Sequence, residues 1–477
     1  MIIVRLIATV LITTAFGLAF TAIIFKREEN SLERLALGYG IGVGLITIIM
    51  FILSLLKIPL TLPVIILFLI GIFFVALCYV LNNNYIFLNI NKLFPVDHGG
   101  RDIKGIALKG LIVALAFKML FVLFSAIIKP MIDVDSFVYY ALHAKAIFLK
   151  HNALMQYNLQ LIGDKPLFPQ LSLAWFSIGM GAWDDALMKS VNAILFISLI
   201  FIFYCALRRY YPRLYSMFFT FLLSTLPFIA HHATTAYADF PQTYYYSAGT
   251  IYLLLFIKGW ADDKERSFKD LLVAAILLGI SLFVKRGGLF IVAIDSFVIL
   301  AFFIIKRRDL VIDDFKKIIV PIGAFMLIVL PWLIFSQAEV VKYLQASNAG
   351  GGSVPAQDNT GRLMTVITLG LWRMFFYSNW QLSWLLFILI FLMLLTRLRV
   401  IIRSHIVYML AIVALNLLMY TVQFSRDPYF GWLVDGTMFD RLLMNSMPVV
   451  VYFIAEGFGY LQEGLTGIRS RGTIKSS

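Results

Sequence analysis

Long apolar runs with few charges recur from one end of this 477-residue chain to the other. A hydrocarbon core about 30 Å thick takes about 20 helical residues to cross, and inside lipid each spanning segment must satisfy its own backbone N–H and C=O groups. Runs of this length restrict the chain to an all-α bundle of membrane-spanning helices. Charge content agrees, since only 14% of residues are charged where a soluble domain has about 25%. Water-soluble folds are excluded. The runs predict about thirteen spans, near residues 2–25, 33–56, 60–81, 106–128, 186–207, 214–230, 240–258, 270–284, 288–305, 318–336, 381–396, 404–423 and 442–461. Ile2 to Phe25 is too long for a signal-peptide core and is followed, not preceded, by Lys26 and Arg27, so it is expected to stay as the first span.

The net charge of +14 would suit a nucleic-acid binder, but the basic residues sit in short clusters between apolar runs and form no extended basic face. Topology accounts for them better. Alternate connections hold about 24 basic residues against about 12 in the opposite set, the asymmetry that marks the cytoplasmic side. The N-terminus is then outside and the C-terminus inside, as expected for a plasma (inner) membrane protein. Cys78 and Cys205 both fall inside predicted spans, so no disulfide framework is indicated.

Two outer connections dominate, residues 129–185 and 337–380. After Phe137 the apolar positions Tyr140, Ala141, Ala144 and Phe148 recur at helical spacing, predicting an amphipathic interface helix with Asp135, Tyr139 and His143 on its other face. Leu167 to Met180 is expected to dip into the interface beside it, the two forming a platform over the bundle. In the second connection the stretch Ser347 to Gly361, whose run Gly350-Gly351-Gly352-Ser353 is too flexible to hold one shape unaided, is expected to serve as a lid.

Ionisable groups beside apolar segments are expensive to keep and default to function. On the outer side these are Asp133 and Asp135; His231, His232 and Asp239; Lys285 and Arg286; and Asp440 with Arg441. Lys285 and Arg286 fit only a tight outer hairpin, where the charge rule disfavours them. A lipid phosphate would hold them there; the plainer reading is that Lys285 snorkels to the headgroups. Asp135 opens a helix and is either a functional carboxylate or an N-cap. Carboxylate and imidazole are suitable metal ligands, which admits a divalent metal ion as cofactor.

Four of these segments also resemble the GT-C superfamily of polyprenyl-phosphate-sugar-dependent glycosyltransferases, close to the family 39 and family 83 type that includes bacterial dolichyl-phosphate-mannose-protein mannosyltransferases. Asp135-Ser-Phe-Val-Tyr-Tyr-Ala-Leu-His-Ala-Lys145 is similar to the acidic motif opening the first outer loop, and Lys165-Pro-Leu-Phe-Pro-Gln to the segment following it. Tyr237-Ala-Asp239-Phe-Pro241 resembles the family's Tyr-Ala-Asp-Leu-Pro, and Asp440-Arg441-Leu-Leu-Met-Asn-Ser-Met-Pro448 its late-helix segment. The likeness covers residues 105 to 460. Lys285-Arg286-Gly287-Gly288 departs from the family's Lys-Asn-Glu-Gly, so only the Lys carries over, and three spans stand before the first outer loop's helix where many relatives have one.

The resemblance implies an N-terminal three-span module (1–104), a catalytic core (105–465) and a cytoplasmic tail (466–477). It implies a polyprenyl-phosphate-sugar donor from the membrane lipids and a glycan, lipid or protein acceptor from the outer aqueous side. Asp135, with Asp133 beside it, would be the base. Lys285 and Arg441, supported by Arg286, would hold the donor phosphate. Asp239 would position the acceptor or hold a metal, with His231, His232, Tyr139, His143 and Asp440 as further acceptor or metal residues. The rivals are a lipid or oligosaccharide flippase or transporter, an oligosaccharide ligase or polymerase, and a non-catalytic scaffold.

Overall fold

The apolar runs become helices because only intrahelical bonding satisfies the backbone in lipid. The structure, a computed structural model, describes residues 1–25, 30–83, 103–154, 165–260, 264–347, 360–402 and 404–466. Four long helices lead, α1 (Ile2–Phe25), α2 (Ser31–Leu55), α3 (Leu62–Asn82) and α4 (Ile103–Ile128). A π-helical turn, Ser136–Ala141, runs into α5 (Leu142–Lys150), followed by α6 (Phe168–Met180) and α7 (Ser190–Arg208). Then come α8 (Arg213–Thr225), the short α9 (Pro227–His232), α10 (Asp239–Gly259), α11 (Lys264–Val284), α12 (Gly288–Ile305) and α13 (Ile312–Ser347). The chain continues through α14 (Thr360–Phe376), α15 (Ser383–Leu395), α16 (Leu398–Ile401), α17 (Ile406–Phe424), α18 (Tyr429–Val434) and α19 (Phe439–Thr466).

Among the described residues there is no strand, and ten helices are long and apolar enough to cross a membrane. The protein is a multi-pass, all-α membrane protein. The other three expected spans are also helical, but differ in length or polarity. α8 has only 13 residues and stops at Leu226, whose backbone turns extended because a following proline disfavours the α region. α15 is likewise 13 residues. α10 has 21, but carries Gln242, Thr243, Ser247, Thr250 and three consecutive tyrosines, all buried against other helices.

Burial separates the inner helices from the lipid-facing ones. The spanning segment of α19 is 94% buried, that of α4 only 17%, so α19 is the core and α4 shows most of its apolar surface to lipid. α1 and α2 are antiparallel and touch backbone to backbone. A methyl on Gly17 would collide with the carbonyl of Gly38, and one on Gly42 with that of Thr13. α2 lies inside the bundle: Tyr245 Oη donates to the Gly40 carbonyl at 2.7 Å, and Ser198 Oγ to that of Ala36 at 2.6 Å.

The first outer loop departs from its expected platform. α6 is buried almost throughout and is wedged into the bundle, its Trp175 Nε1 donating to Thr13 Oγ1 at 2.9 Å. Seven of its residues are large and apolar or aromatic, more than an interface helix can leave half-solvated. α5 and the π-helical turn do keep an exposed apolar face, with Phe137, Val138, Leu142 and Leu149 uncovered. Nearly all of the expected lid, Ser347 to Gly361, all but the first residue of the tail 466–477 and most of the predicted cytoplasmic loop 82–105 lie outside the described residues.

Candidate active site

At one end of the bundle four charged side chains from four separate segments meet. The centre is Asp239, in the first turn of α10, where a carboxylate complements the helix dipole. Pro241 is tolerated there because first-turn N–H groups have no intrahelical partner. The turn before it is pinned by Asn192 of α7, whose Nδ2 donates to the carbonyls of Thr235 (2.8 Å) and Tyr237 (3.5 Å). Asp239 is 1% exposed, and both of its oxygens are taken. Lys285 Nζ donates to Oδ1 at 2.7 Å; Arg441 donates to Oδ2 from Nε at 3.0 Å and Nη2 at 2.6 Å.

Local sequence explains how the cations arrive. Lys285 sits on the tight hairpin between α11 and α12, which closes because position 288 is glycine: a Cβ there would lie 2.7 Å from the Ser281 carbonyl oxygen. Gln242 Nε2 donates to Ser281 Oγ at 2.7 Å and ties α10 to the same hairpin. Arg441 stands in the first turn of α19, next to Asp440, which accepts from Arg373 Nη1 (2.8 Å) and Asn379 Nδ2 (3.2 Å). One turn further on, Thr243 Oγ1 donates to Asn445 Oδ1 at 3.0 Å and fixes α10 against α19.

Arg441 also reaches outward, donating from Nη1 to Asp135 Oδ2 at 2.8 Å. Asp135 does not cap a helix. Its backbone is already helical (φ −62°, ψ −38°), and its side chain makes no capping bond. It leads into the π-helical turn, a backbone irregularity frequent at functional sites. The Asp135 side chain is 34% exposed, and its Oδ1 makes no hydrogen bond among the described residues. The cluster is thus neutral, with two carboxylates and two cations, one carboxylate buried and saturated, the other open on one oxygen.

Beneath the Arg441 guanidinium lies the Tyr237 ring, 4.7 Å away, backed by His232 at 5.4 Å and then by Phe228 and Trp380. Burial pushes the His232 imidazole down to about 3 despite the pull of Asp239, so it is neutral. Burial first, then the carboxylates of Asp133 and Asp135, push the Tyr237 phenol up to about 12.

The structure thus brings together Asp135, Asp239, Lys285 and Arg441, with His232 behind them. Asp133 is half-buried within the electrostatic reach of Lys189, itself buried with its ammonium on the Lys129 carbonyl at 2.6 Å. Arg286 and His231 are exposed. Tyr139 lies under the Lys165 ammonium at 4.1 Å, and His143 is half-buried on α5; neither bonds to the four charged groups. Asp440 is turned to Arg373. Among the described residues no three His, Cys, Asp or Glu side chains converge, and both oxygens of Asp239 are engaged by Lys285 and Arg441.

Sequence reasoning passed over Tyr237, Asn192, Asn445 and Arg373. It also expected ionisable residues on one face, and the structure corrects this. At the far end of α10 and α19, Lys258 Nζ donates to Glu456 at 2.6 and 2.9 Å, and His405 Nε2 lies 2.9 Å from the same carboxylate. Nearby, Arg209 bridges Glu33 (2.5 Å) and Asp270 (2.7 Å). Asp295 is fully buried within α12, accepting from Thr250 Oγ1 at 2.6 Å. Glu456 and Asp295 were visible as carboxylates inside apolar runs. No family model matches the chain, and no curated protein matches it.

Proposed function

We propose that this protein is a membrane glycosyltransferase that moves a sugar from a polyprenyl-phosphate donor to a hydroxyl or amine of a glycan, lipid or protein acceptor. The observation that carries the reading is Arg441, which joins the buried Asp239, paired with Lys285, to a partly exposed Asp135 with one open oxygen. Asp239 anchors the cations and is not itself a reacting group. Lys285 uses one of its three N–H bonds and Arg441 three of its five, which leaves four donors for a phosphate. The loop-charge asymmetry supports an extracytoplasmic position for this end.

In this mechanism the acceptor proton passes to Asp135 Oδ1 as the acceptor atom bonds the anomeric carbon on the face opposite the phosphate. The bond from that carbon to the phosphate oxygen breaks, and its electron pair leaves on the phosphate. Configuration inverts. The fixed N–H donors of Lys285 and Arg441 stabilise the charge that grows there, without reorganising at the moment of reaction.

The test is sugar transfer by purified Asp135→Asn, with Asp133→Asn beside it. Loss of a general base lowers the rate by about 10²–10⁴, while binding of undecaprenyl phosphate persists. Normal transfer by Asp135→Asn would remove this carboxylate from the chemistry. The second reading, a lipid or oligosaccharide transporter, draws on Asp295, since intramembrane carboxylates often mark substrate or proton paths. It predicts movement of a lipid-linked sugar across vesicles with no transfer product.

A further inference from the structure

Among the described residues the Tyr237 hydroxyl, placed in the candidate site, has no hydrogen-bond partner. The residue's backbone is fixed on both sides, its carbonyl by Asn192 and its N–H by Thr235 Oγ1 at 3.5 Å. Its ring is held between the Arg441 guanidinium at 4.7 Å and the His232 ring at 5.4 Å. Yet the half-exposed phenol makes no hydrogen bond among the described residues, although Asp239, Lys285 and Arg441 beside it are all engaged. Burial first, and then the outer-loop carboxylates Asp133 and Asp135, favour its protonated form, so it stays a donor as well as an acceptor.

We infer that the Tyr237 hydroxyl is a further substrate contact of this site, hydrogen-bonding a ring hydroxyl of the donor's sugar. The inference rests on the glycosyltransferase reading. The sugar is favoured over the acceptor because it is joined directly to the phosphate, and the Tyr237 ring lies against the cation assigned to that phosphate. The ring and the hydroxyl then have separate tasks: the ring supports Arg441, and the hydroxyl reads the sugar. A site built to bond a hydroxyl discriminates against a ligand lacking it, because its own polar group is left unpaired.

Tyr237→Phe separates the two, since it keeps the stacked ring. The experiment measures the affinity of the full chain in nanodiscs for undecaprenyl phosphate and for a panel of its glucose, mannose, galactose, N-acetylglucosamine and arabinose conjugates. In the wild type at least one conjugate binds tighter than the bare lipid phosphate. In Tyr237→Phe that gain falls about three- to tenfold, the worth of one neutral hydrogen bond, while bare lipid phosphate binds as before. Deoxy analogues of the preferred sugar complete the cycle on the wild-type fold: removing one ring hydroxyl costs the same factor in the wild type and nothing more in Tyr237→Phe. An unchanged sugar gain in Tyr237→Phe, or no sensitive ring position in the wild type, overturns the inference. Failure of the underlying reading looks different: the wild type does not bind bare undecaprenyl phosphate at all.

Discussion

Replacing Asp239 by Asn tests whether this carboxylate holds the candidate site together. The side chain is 1% exposed and receives three hydrogen bonds from two cations, while Lys285 and Arg441 keep 20% and 19% exposure. Asn has the same shape, but its neutral amide leaves two neighbouring cations facing a group with one acceptor oxygen and an NH₂. Breaking a buried pair by removing one partner costs about 3–5 kcal/mol, and the partial access of water to both cations puts this case at the lower end, about 3 kcal/mol. Asp135→Asn removes a single bond from a carboxylate that is 34% exposed, so its cost is about 0.5–1 kcal/mol. An unfolding entropy of about 2.1 cal/mol/K per residue gives about 1 kcal/mol per kelvin for 477 residues, hence a fall of about 3 °C for Asp239→Asn and at most about 1 °C for Asp135→Asn. The assay is tryptophan-fluorescence melting in one detergent at one scan rate, because unfolding of a protein this size is often irreversible. Adding Lys285→Met to Asp239→Asn removes one stranded cation and is expected to recover about 1–2 °C of the loss, since neighbours in one network couple by about 0.5–3 kcal/mol. The reasoning is refuted if Asp239→Asn melts within 1 °C of the wild type, or if Asp135→Asn is the more damaging of the two.

His232 offers a pH signature. Its folded value of about 3 lies below the unfolded value of about 6.5, so the unfolded chain binds the extra proton and stability is lost as pH falls below 6.5. By pH 4.5 the loss is about 2–3 kcal/mol, and His232→Phe is expected to flatten that part of the melting-against-pH curve relative to the wild type. Gly17→Leu is expected to separate α1 from α2, since even a methyl collides with the Gly38 carbonyl; the measure is the yield of monodisperse protein, with Gly71→Leu, at a lipid-facing position with open space, as the tolerated control.

The spanning runs were legible because lipid imposes a length and an apolar content that few other structures share. The exceptions have local causes. Pro227 divides one expected span, and α10 trades apolarity for buried tyrosines and threonines that other helices satisfy. α6 was misread because an apolar segment of 13 residues looks the same whether it lies on the interface or inside the bundle. In the candidate site, Asp135, Asp239, Lys285 and Arg441 could each be singled out from charge in an apolar setting, but not their pairing, which joins positions about 300 residues apart. Nor could it be read that Asp239 is saturated while Asp135 keeps an open oxygen, because both depend on the helices that close over them. Tyr237 gave no signal beyond its place in a short motif, as an aromatic residue in a chain with 22 tyrosines and 43 phenylalanines is unremarked until its hydroxyl is seen without a partner.

α10 and α19 run side by side in the same direction and are ion-paired at both ends, Asp239 with Arg441 and Lys258 with Glu456. From Asp239 to Lys258 the helix rises about 28 Å and from Arg441 to Glu456 about 22 Å, the difference being taken up by side-chain reach. Neither helix can slide or tilt against its neighbour without breaking a charged pair. The distance between the two polar ends is therefore set by covalent rise and not by the surrounding bilayer. In a thinner or thicker membrane the mismatch falls first on the perimeter helices whose spans are least buried, α3 and α4, while the spacing of the central pair holds constant.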